Sequence, residues 1–395
     1  MNESATDQFT PAFRGSGSVE WRPLPTADGR ANGKNDKTKS NRDDLKNLLL
    51  ASLQMQHLVV LAGSGCSLSA AGPSMDDLWK HAVGKPPNDK AKRVAGKVHH
   101  DLEKNRNLEE LLSRIEAFLH VQDDACVLEF LNESKRIIIE KCSEFLNTGS
   151  LGAHKTFLHR LSRRRIRDQR LKVFTTNYDL CFERAASEVG GVALDGFSFT
   201  APRQYDPRYF AYDIVRRPRG GDDLGNYLEG VFLLYKFHGS VNWARSSNGT
   251  ISEKTQPTPE EACLIYPATG KYQQSYTQPH LEAMAQYLAA IREPNTCVIV
   301  AGFGFNDDHL SEPLLAAARS NSHLRLIIAD PGAEAKAKDK EHRYWPQLFA
   351  LGQKSEDIWF ISAGFEALAN MIPDLKALTP ADALIKAIKG VTGSQ

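Results

Sequence analysis

The stretch KVFTTNYDLCFERAA, residues 172–186, decides how the rest of this chain is read. An apolar strand led by Lys172-Val173-Phe174 runs into Thr175-Thr176-Asn177-Tyr178-Asp179, and an amphipathic helical segment follows. A buried strand that ends in two threonines, an asparagine and an aspartate has two explanations. Asn and Asp accept backbone N–H bonds at helix starts, so these residues can be caps. In parallel sheets, ligands bind beyond the carboxyl ends of the strands, where polar side chains are needed.

The same strand–turn–helix pattern recurs along the chain. HLVVLAGSGCSLSAAG (57–72) reads as strand, glycine turn and helix. Further apolar strands are LKVFTT (171–176), VFLLYKFHG (231–239), ACLIYP (262–267), TCVIVAGFGF (296–305), LRLIIAD (324–330) and DIWFIS (357–362). Helical spacing covers 42–55 and about 279–293, a helix starts at Asp307, and two more helices follow the last two strands. Alternating apolar strands and amphipathic helices specify an α/β, Rossmann-like parallel sheet with helices on both faces. Residues 80–165 hold helical patterns only and read as a helical insertion. Residues 1–40 are rich in Gly, Ser, Asn, Asp and Lys and read as a flexible N-terminal arm, with a short docking piece at Val19-Glu20-Trp21. Residues 41–395 then form one domain, with 201–228 an irregular loop.

Composition excludes several classes. A net charge of +1 gives no global field toward nucleic acid or a membrane surface. No apolar run approaches the ~20 residues of a membrane helix. The opening MNESATDQFT lacks the basic-then-apolar pattern of a secretory signal. Cys66, Cys126, Cys142, Cys181, Cys263 and Cys297 form no C-x-x-C pair, which argues against structural zinc and a disulfide framework. Reduced thiols in the cytoplasm are the expectation. The basic run RLSRRRIRDQR (160–170) reads first as a solvated helix end, with nucleic-acid contact as the alternative, and the VRRPRGG loop (215–221) is equally open between these and a lid.

Four strand-end motifs carry candidate chemistry. Gly63-Ser64-Gly65-Cys66-Ser67 lets the backbone approach a pyrophosphate; alone it is more simply an ordinary tight turn, since Leu68 replaces the third glycine of the full fingerprint. Thr175 to Asp179 is the second motif. Lys236-Phe237-His238-Gly239-Ser240 places a histidine at a strand end, expected to face a crevice and suited to a base near neutral pH. Gly302-Phe303-Gly304-Phe305-Asn306-Asp307-Asp308-His309 repeats the strand–glycine–helix arrangement. His309 beside Asp307 and Asp308 is more simply a helix start than a metal site. Asp330 ends a further strand, where an acid can accept from a ribose hydroxyl.

In this order, GSGCS, TTNYD, KFHGS and GFGFNDDHL resemble the sirtuin-like superfamily, and specifically its bacterial antiphage-defence branch, over about residues 57–375. The two zinc-binding C-x-x-C pairs of the deacylases are missing, and Thr176 stands where those enzymes usually have Gln. No zinc is therefore expected, and the insertion takes the place of the small zinc domain. The resemblance implies NAD as substrate, cleaved at the nicotinamide–ribose bond to ADP-ribose and nicotinamide, with Asn177 positioning and His238 as base. The turns at Gly63–Ser67 and Gly302–Asp307 (Gly304, Phe305 and Asn306 among them), with Thr176, Asp179, Gly239 and Asp330, are the implied NAD contacts. It also implies NAD depletion in abortive infection. The chain has no G-x-x-x-x-G-K-[ST] of its own, and the resemblance implies a homo-oligomer docked on a HerA-type ATPase ring. An NAD-dependent deacylase, a non-catalytic NAD or ADP-ribose binding module, and a cyclase or transferase are the other readings.

Overall fold

The computed structural model describes residues 11–25, 35–165, 168–216, 227–265, 278–354 and 356–374. Its strands are β1 (Ala12–Arg14), β2 (Arg22–Pro23), β3 (His57–Ala62), β4 (Leu171–Thr175), β5 (Val192–Leu194), β6 (Val231–Lys236), β7 (Gly239–Arg245), β8 (Ile251–Glu253), β9 (Ala262–Leu264), β10 (Thr296–Ala301), β11 (Leu324–Ala329) and β12 (Ile358–Ser362). Nine of them form one sheet in the order β2-β1-β12-β11-β10-β3-β4-β6-β5. From β12 to β5 every pairing is parallel; β1 and β2 join antiparallel at one edge. The fold is the α/β, Rossmann-like sheet that the alternation predicts.

The period of two along each strand explains why both faces are covered. Leu58, Val60 and Ala62 of β3 enter one apolar core, while Val59 and Leu61 enter the other. Cys297, Ile299 and Ala301 of β10 separate from Val298 and Val300 in the same way. Residues of the helices Asn35–Leu53, Gly152–Leu161, Cys181–Glu188 and Phe365–Met371 fill the first core. Residues of His280–Ala290, Asp308–Ser320 and Trp345–Gln353 fill the second.

Helices Met75–Ala82, Asp89–Lys97, Leu108–Leu119 and Ala125–Glu144 make a third core of their own. That core also takes in Tyr178 from the turn after β4, and Val241, Ala262 and Leu264 from the small antiparallel sheet β8-β7-β9. The last helix of the stretch read as an insertion, Gly152–Leu161, instead packs on the main sheet.

Three further differences from the sequence reading have local causes. Within the stretch read as an arm, Phe13 is buried on β1, and Trp21 meets the Phe349 ring edge-on at 6.4 Å. Residues 1–10 and 26–34 of that arm lie outside the described residues, as does most of the 215–221 loop. The run 231–239 is two strands in two sheets, because Gly239 has φ +81° and redirects the chain. Arginines of the basic run are committed to helix ends. Arg164 is buried and donates to the carbonyls of Leu53, Met55 and Gln56, and Arg160 donates to those of Ala369, Asn370 and Ile372. Among the described residues, no helix is long and apolar enough to cross a membrane.

Candidate active site

The strand order reverses between β3 and β10. From β3 the chain builds outward through β4, and from β10 it builds the other way through β11 and β12. A crevice opens at such a switch point, beyond the carboxyl ends of the strands. The two glycine turns there are in contact, with Gly65 N–H donating to the Gly302 carbonyl at 2.9 Å. Gly302 has φ +60°, and a Cβ on it would collide with the backbone nitrogen of Cys66. Glycine is therefore required at this crossing for conformation and for space.

A cavity of about 570 Å³ sits over this crossing. It is lined by Gly63, Ser64 and Ser67 of the first turn, Thr176, Asn177 and Asp179 of the second motif, His238, and Gly302, Gly304, Asn306 and Asp307 of the last motif. Residues from all four motifs, scattered over about 250 positions of sequence, thus share one space.

Five expected contacts stand elsewhere. Gly65 is packed against Gly302. Cys66 is fully buried, its thiol turned toward the Ala301 carbonyl at 3.2 Å, and burial pushes its pKa up. Gly239 pairs with Leu264 at the start of β7. Phe305 has φ +59°, a strained value for an aromatic residue, and its ring is buried edge-on against Trp345 at 5.1 Å. Asp330 accepts from Gly332 N–H at 2.8 Å and from Lys336 at 2.6 Å.

The TTNYD turn answers both explanations of its composition. Asp179 Oδ1 accepts the Cys181 N–H at 3.0 Å, at the start of the next helix. Its other oxygen accepts from the Ser67 hydroxyl at 2.6 Å, and Ser67 accepts from Asn177 Nδ2 at 2.9 Å. Ser67 has one proton and gives it to the carboxylate, so the group facing it from Asn177 must be the N–H side of the amide. Asn177 Oδ1 is left buried and without a hydrogen-bond partner. Beneath the turn, Lys236 donates to the Asp179 carbonyl and pairs with Glu183 at 3.0 Å.

His238 is 3% exposed and stands between two carboxylates. Its Nε2 is 3.2 Å from Asp307 Oδ2, and its Nδ1 is 3.4 Å from Glu109 Oε1. Burial pushes the imidazole pKa down, but Glu109 and Asp307 outweigh it and raise the value to about 9. Asp307 is held below its ordinary value because the bond and charge of His238 overcome its own burial. Its Oδ1 also accepts the His309 N–H at 3.0 Å, capping the helix Asp308–Ser320.

The sequence reading missed Glu109 and the wall formed by Lys104, Asn105, Arg106 and Asn107, and it named Tyr178 only as a member of the TTNYD motif; all of these line the cavity. The Tyr178 hydroxyl lies 2.8 Å from Glu109 Oε1. Asn107 accepts the Glu110 N–H at 3.1 Å and so starts the helix that carries Glu109. Among the described residues, no group of three or more His, Cys, Asp or Glu side chains is placed to hold a metal.

Residues 171–349 match the SIR2-like domain family model. The match covers β4, the TTNYD turn, His238 and the β10 turn, and it begins after the helical insertion. Similar solved structures include a Sir2 homologue–NAD complex, 15% identical, over 87% of this chain and 94% of that one, with a TM-score of 0.38. A mutant Sir2 homologue–ADP ribose complex is 13% identical over 89% of this chain and 98% of that one, with a TM-score of 0.41. A mutant bound to 2'-O-acetyl ADP ribose is 13% identical over 88% and 97%, with a TM-score of 0.39. No curated protein matches the chain in sequence.

Proposed function

We propose that the protein is an NAD glycohydrolase. The observation that carries this reading is the unpartnered Asn177 Oδ1, a buried acceptor in the same cavity as His238. A buried carbonyl without a donor costs about 1–3 kcal/mol, a cost recovered when a hydroxyl or a water donates to it. The two glycine turns beside it suit a diphosphate, and the SIR2-like match over 171–349 supports a nicotinamide dinucleotide as the ligand.

The reacting bond joins ribose C1′ to a cationic nicotinamide nitrogen. As it breaks, its electron pair leaves with the nitrogen, so nicotinamide departs neutral and no strong general acid is required. Positive charge develops on the ribose as in glycoside hydrolysis. Asn177 Oδ1 accepts from the attacking water or from a ribose hydroxyl and so fixes its position. Oxygen from water bonds to C1′, and the water's proton passes to His238 in its neutral form. ADP-ribose and nicotinamide are the products.

The resemblance of the four motifs extends the proposal to the cell. It supports NAD depletion during phage infection in the cytoplasm, by a homo-oligomer controlled by a HerA-type ATPase ring and without a resident zinc ion. Purified protein incubated with NAD, with and without its genomic neighbour, tests this, with products followed by chromatography. Equimolar ADP-ribose and nicotinamide, lost in Asn177→Ala and His238→Ala, are the expected result. Bound but unconsumed NAD under both conditions would leave a binding module. Nicotinamide release only on addition of an acylated peptide would make the protein a deacylase.

A further inference from the structure

We propose that Glu109 is a positioning residue: the helical insertion uses it to clamp His238 against Asp307, and the histidine takes up a substrate proton only when that clamp opens. This rests on the hydrolase reading above.

The geometry is a bridge between two bodies of the fold. Asp307 belongs to the turn after β10, on the main sheet, whereas Glu109 lies in the first turn of an insertion helix. His238 between them hydrogen-bonds Asp307 through Nε2 at 3.2 Å, while its Nδ1, buried without a hydrogen-bond partner, lies in charge contact with Glu109 Oε1 at 3.4 Å. Glu109 is itself steadied by the Tyr178 hydroxyl at 2.8 Å. A ring nitrogen facing a carboxylate keeps its proton, and a base needs a nitrogen with a free lone pair. With a carboxylate beside each nitrogen, one hydrogen-bonded and one in charge contact, the closed arrangement holds an imidazolium.

The other groups around the ring do not change this. His280 Nδ1–H donates to the Phe237 carbonyl at 2.8 Å, and burial keeps its pKa low, so it adds no lasting charge. The Tyr178 ring centroid is 6.2 Å away. Asp307 accepts the backbone N–H of His309, whose charge acts on Asp307 and His280. Glu109 and Asp307 are the charges that matter.

The insertion helices have a core apart from the two of the main sheet, shared with Tyr178 and with Val241, Ala262 and Leu264 of the small sheet. Leu108, Leu111, Leu112 and Ile115, on the buried face of the Glu109 helix, pack in the third core and not in either core of the main sheet. The wall from Lys104 to Asn107 lines the same cavity just before that helix. Withdrawal of the insertion therefore widens the cavity and frees His238 Nδ1 together.

The test follows the His238 imidazole by NMR titration of the full chain, with His238→Gln to assign its signal, alongside the pH dependence of kcat/KM for NAD. In Glu109→Gln the titration midpoint is expected to fall by about one pH unit or more, the size of effect an adjacent charge exerts. The alkaline rise of kcat/KM should move to lower pH with it. Glu109→Ala gives the second reading, since it removes any contact a glutamine amide re-forms, and a thermal melt verifies that both variants fold. An unmoved midpoint in both variants overturns the clamp. A moved midpoint with an unmoved rate profile, in an enzyme that turns over NAD, overturns its role in catalysis. A moved midpoint in a protein that consumes no NAD in any form identifies the hydrolase reading as the part that failed, with the Glu109–His238 clamp standing.

Discussion

Ser67 links Asn177 to Asp179: it accepts from the Asn177 amide at 2.9 Å and donates to the Asp179 carboxylate at 2.6 Å. The link joins the turn after β3 to the turn after β4. It also sets which end of the Asn177 amide faces Ser67, and so leaves Oδ1 as the free acceptor. The serine of a glycine turn, read as a phosphate contact, thereby gains a second duty in orienting the residue that would position the ribose.

Replacing Ser67 by alanine should therefore act on Asn177 without touching it. The amide loses the acceptor that fixes it, and Asp179 loses a donor. A loss of about 1–3 kcal/mol is expected for such a buried polar contact. At 1.36 kcal/mol per tenfold, kcat for NAD hydrolysis should drop roughly tenfold to hundredfold, provided the melting temperature shows the fold intact. Wild-type turnover in Ser67→Ala would show that Asn177 needs no such orientation.

The parts of this protein that were legible in sequence are those where one local pattern has one solution. The runs LVVLA, VIVA and LIIA could only be central strands, because both of their faces are apolar. The four strand-end motifs were legible as a set: each alone has an ordinary use as a tight turn or a helix cap, and their order along the chain does not. Ala12–Arg14 was not legible: three residues give no periodicity, and their pairing with β12 spans the whole fold. Glu109 was hidden for a different reason. An acid in the first turn of a helix is already explained by the helix dipole, so nothing local pointed to a histidine 129 positions away. His238 was found, but its two carboxylates come from remote segments, and so its protonation state was not readable.

That protonation state should appear in stability. The His238 pKa is raised from 6.5 to about 9 in the folded chain. Below the ordinary value, folded and unfolded forms are both protonated and the contribution is complete. Between pH 6.5 and 9 the unfolded chain releases this proton while the folded chain keeps it, so stability falls as pH rises. The slope from one group is at most about 1.36 kcal/mol per pH unit, a total on the order of 3 kcal/mol. Urea unfolding at several pH values should show a decline in the wild type that is lost in His238→Gln. Parallel curves for the two proteins would contradict the raised value.

The crossing of the glycine turns makes a comparison within one motif. Gly302→Ala forces a side chain into φ +60° and into the backbone of Gly65 and Cys66. The left-handed conformation alone costs about 1–2 kcal/mol, and the collision with backbone adds to it. In Gly304→Ala the new Cβ meets the Asn306 side-chain amide at 3.0 Å, a group that can swing aside. Gly302→Ala should therefore lower the urea midpoint much more than Gly304→Ala. Equal midpoints would mean that the two turns separate more easily than their contact implies.

Lys236 is the buried support of the whole turn. Its side chain is 1% exposed, and its ammonium pairs with Glu183 at 3.0 Å while donating to the Asp179 carbonyl. Burial raises the Glu183 pKa, and the charge of Lys236 counters that rise. Lys236→Met removes the cation, leaving both a carboxylate and a backbone carbonyl without their partner. The Glu183 side chain is 25% exposed, so breaking this pair from one side costs less than the about 3–5 kcal/mol of a fully buried pair, whereas replacing both members by apolar groups is often close to neutral. Lys236→Met should thus be destabilised in urea, and the double variant with Glu183→Leu should regain most of the loss. If stability returns in the double variant while NAD turnover does not, Lys236 serves the geometry of Asn177 and Asp179 as well as the fold. If neither variant loses stability, the ion pair is not the support that its burial implies.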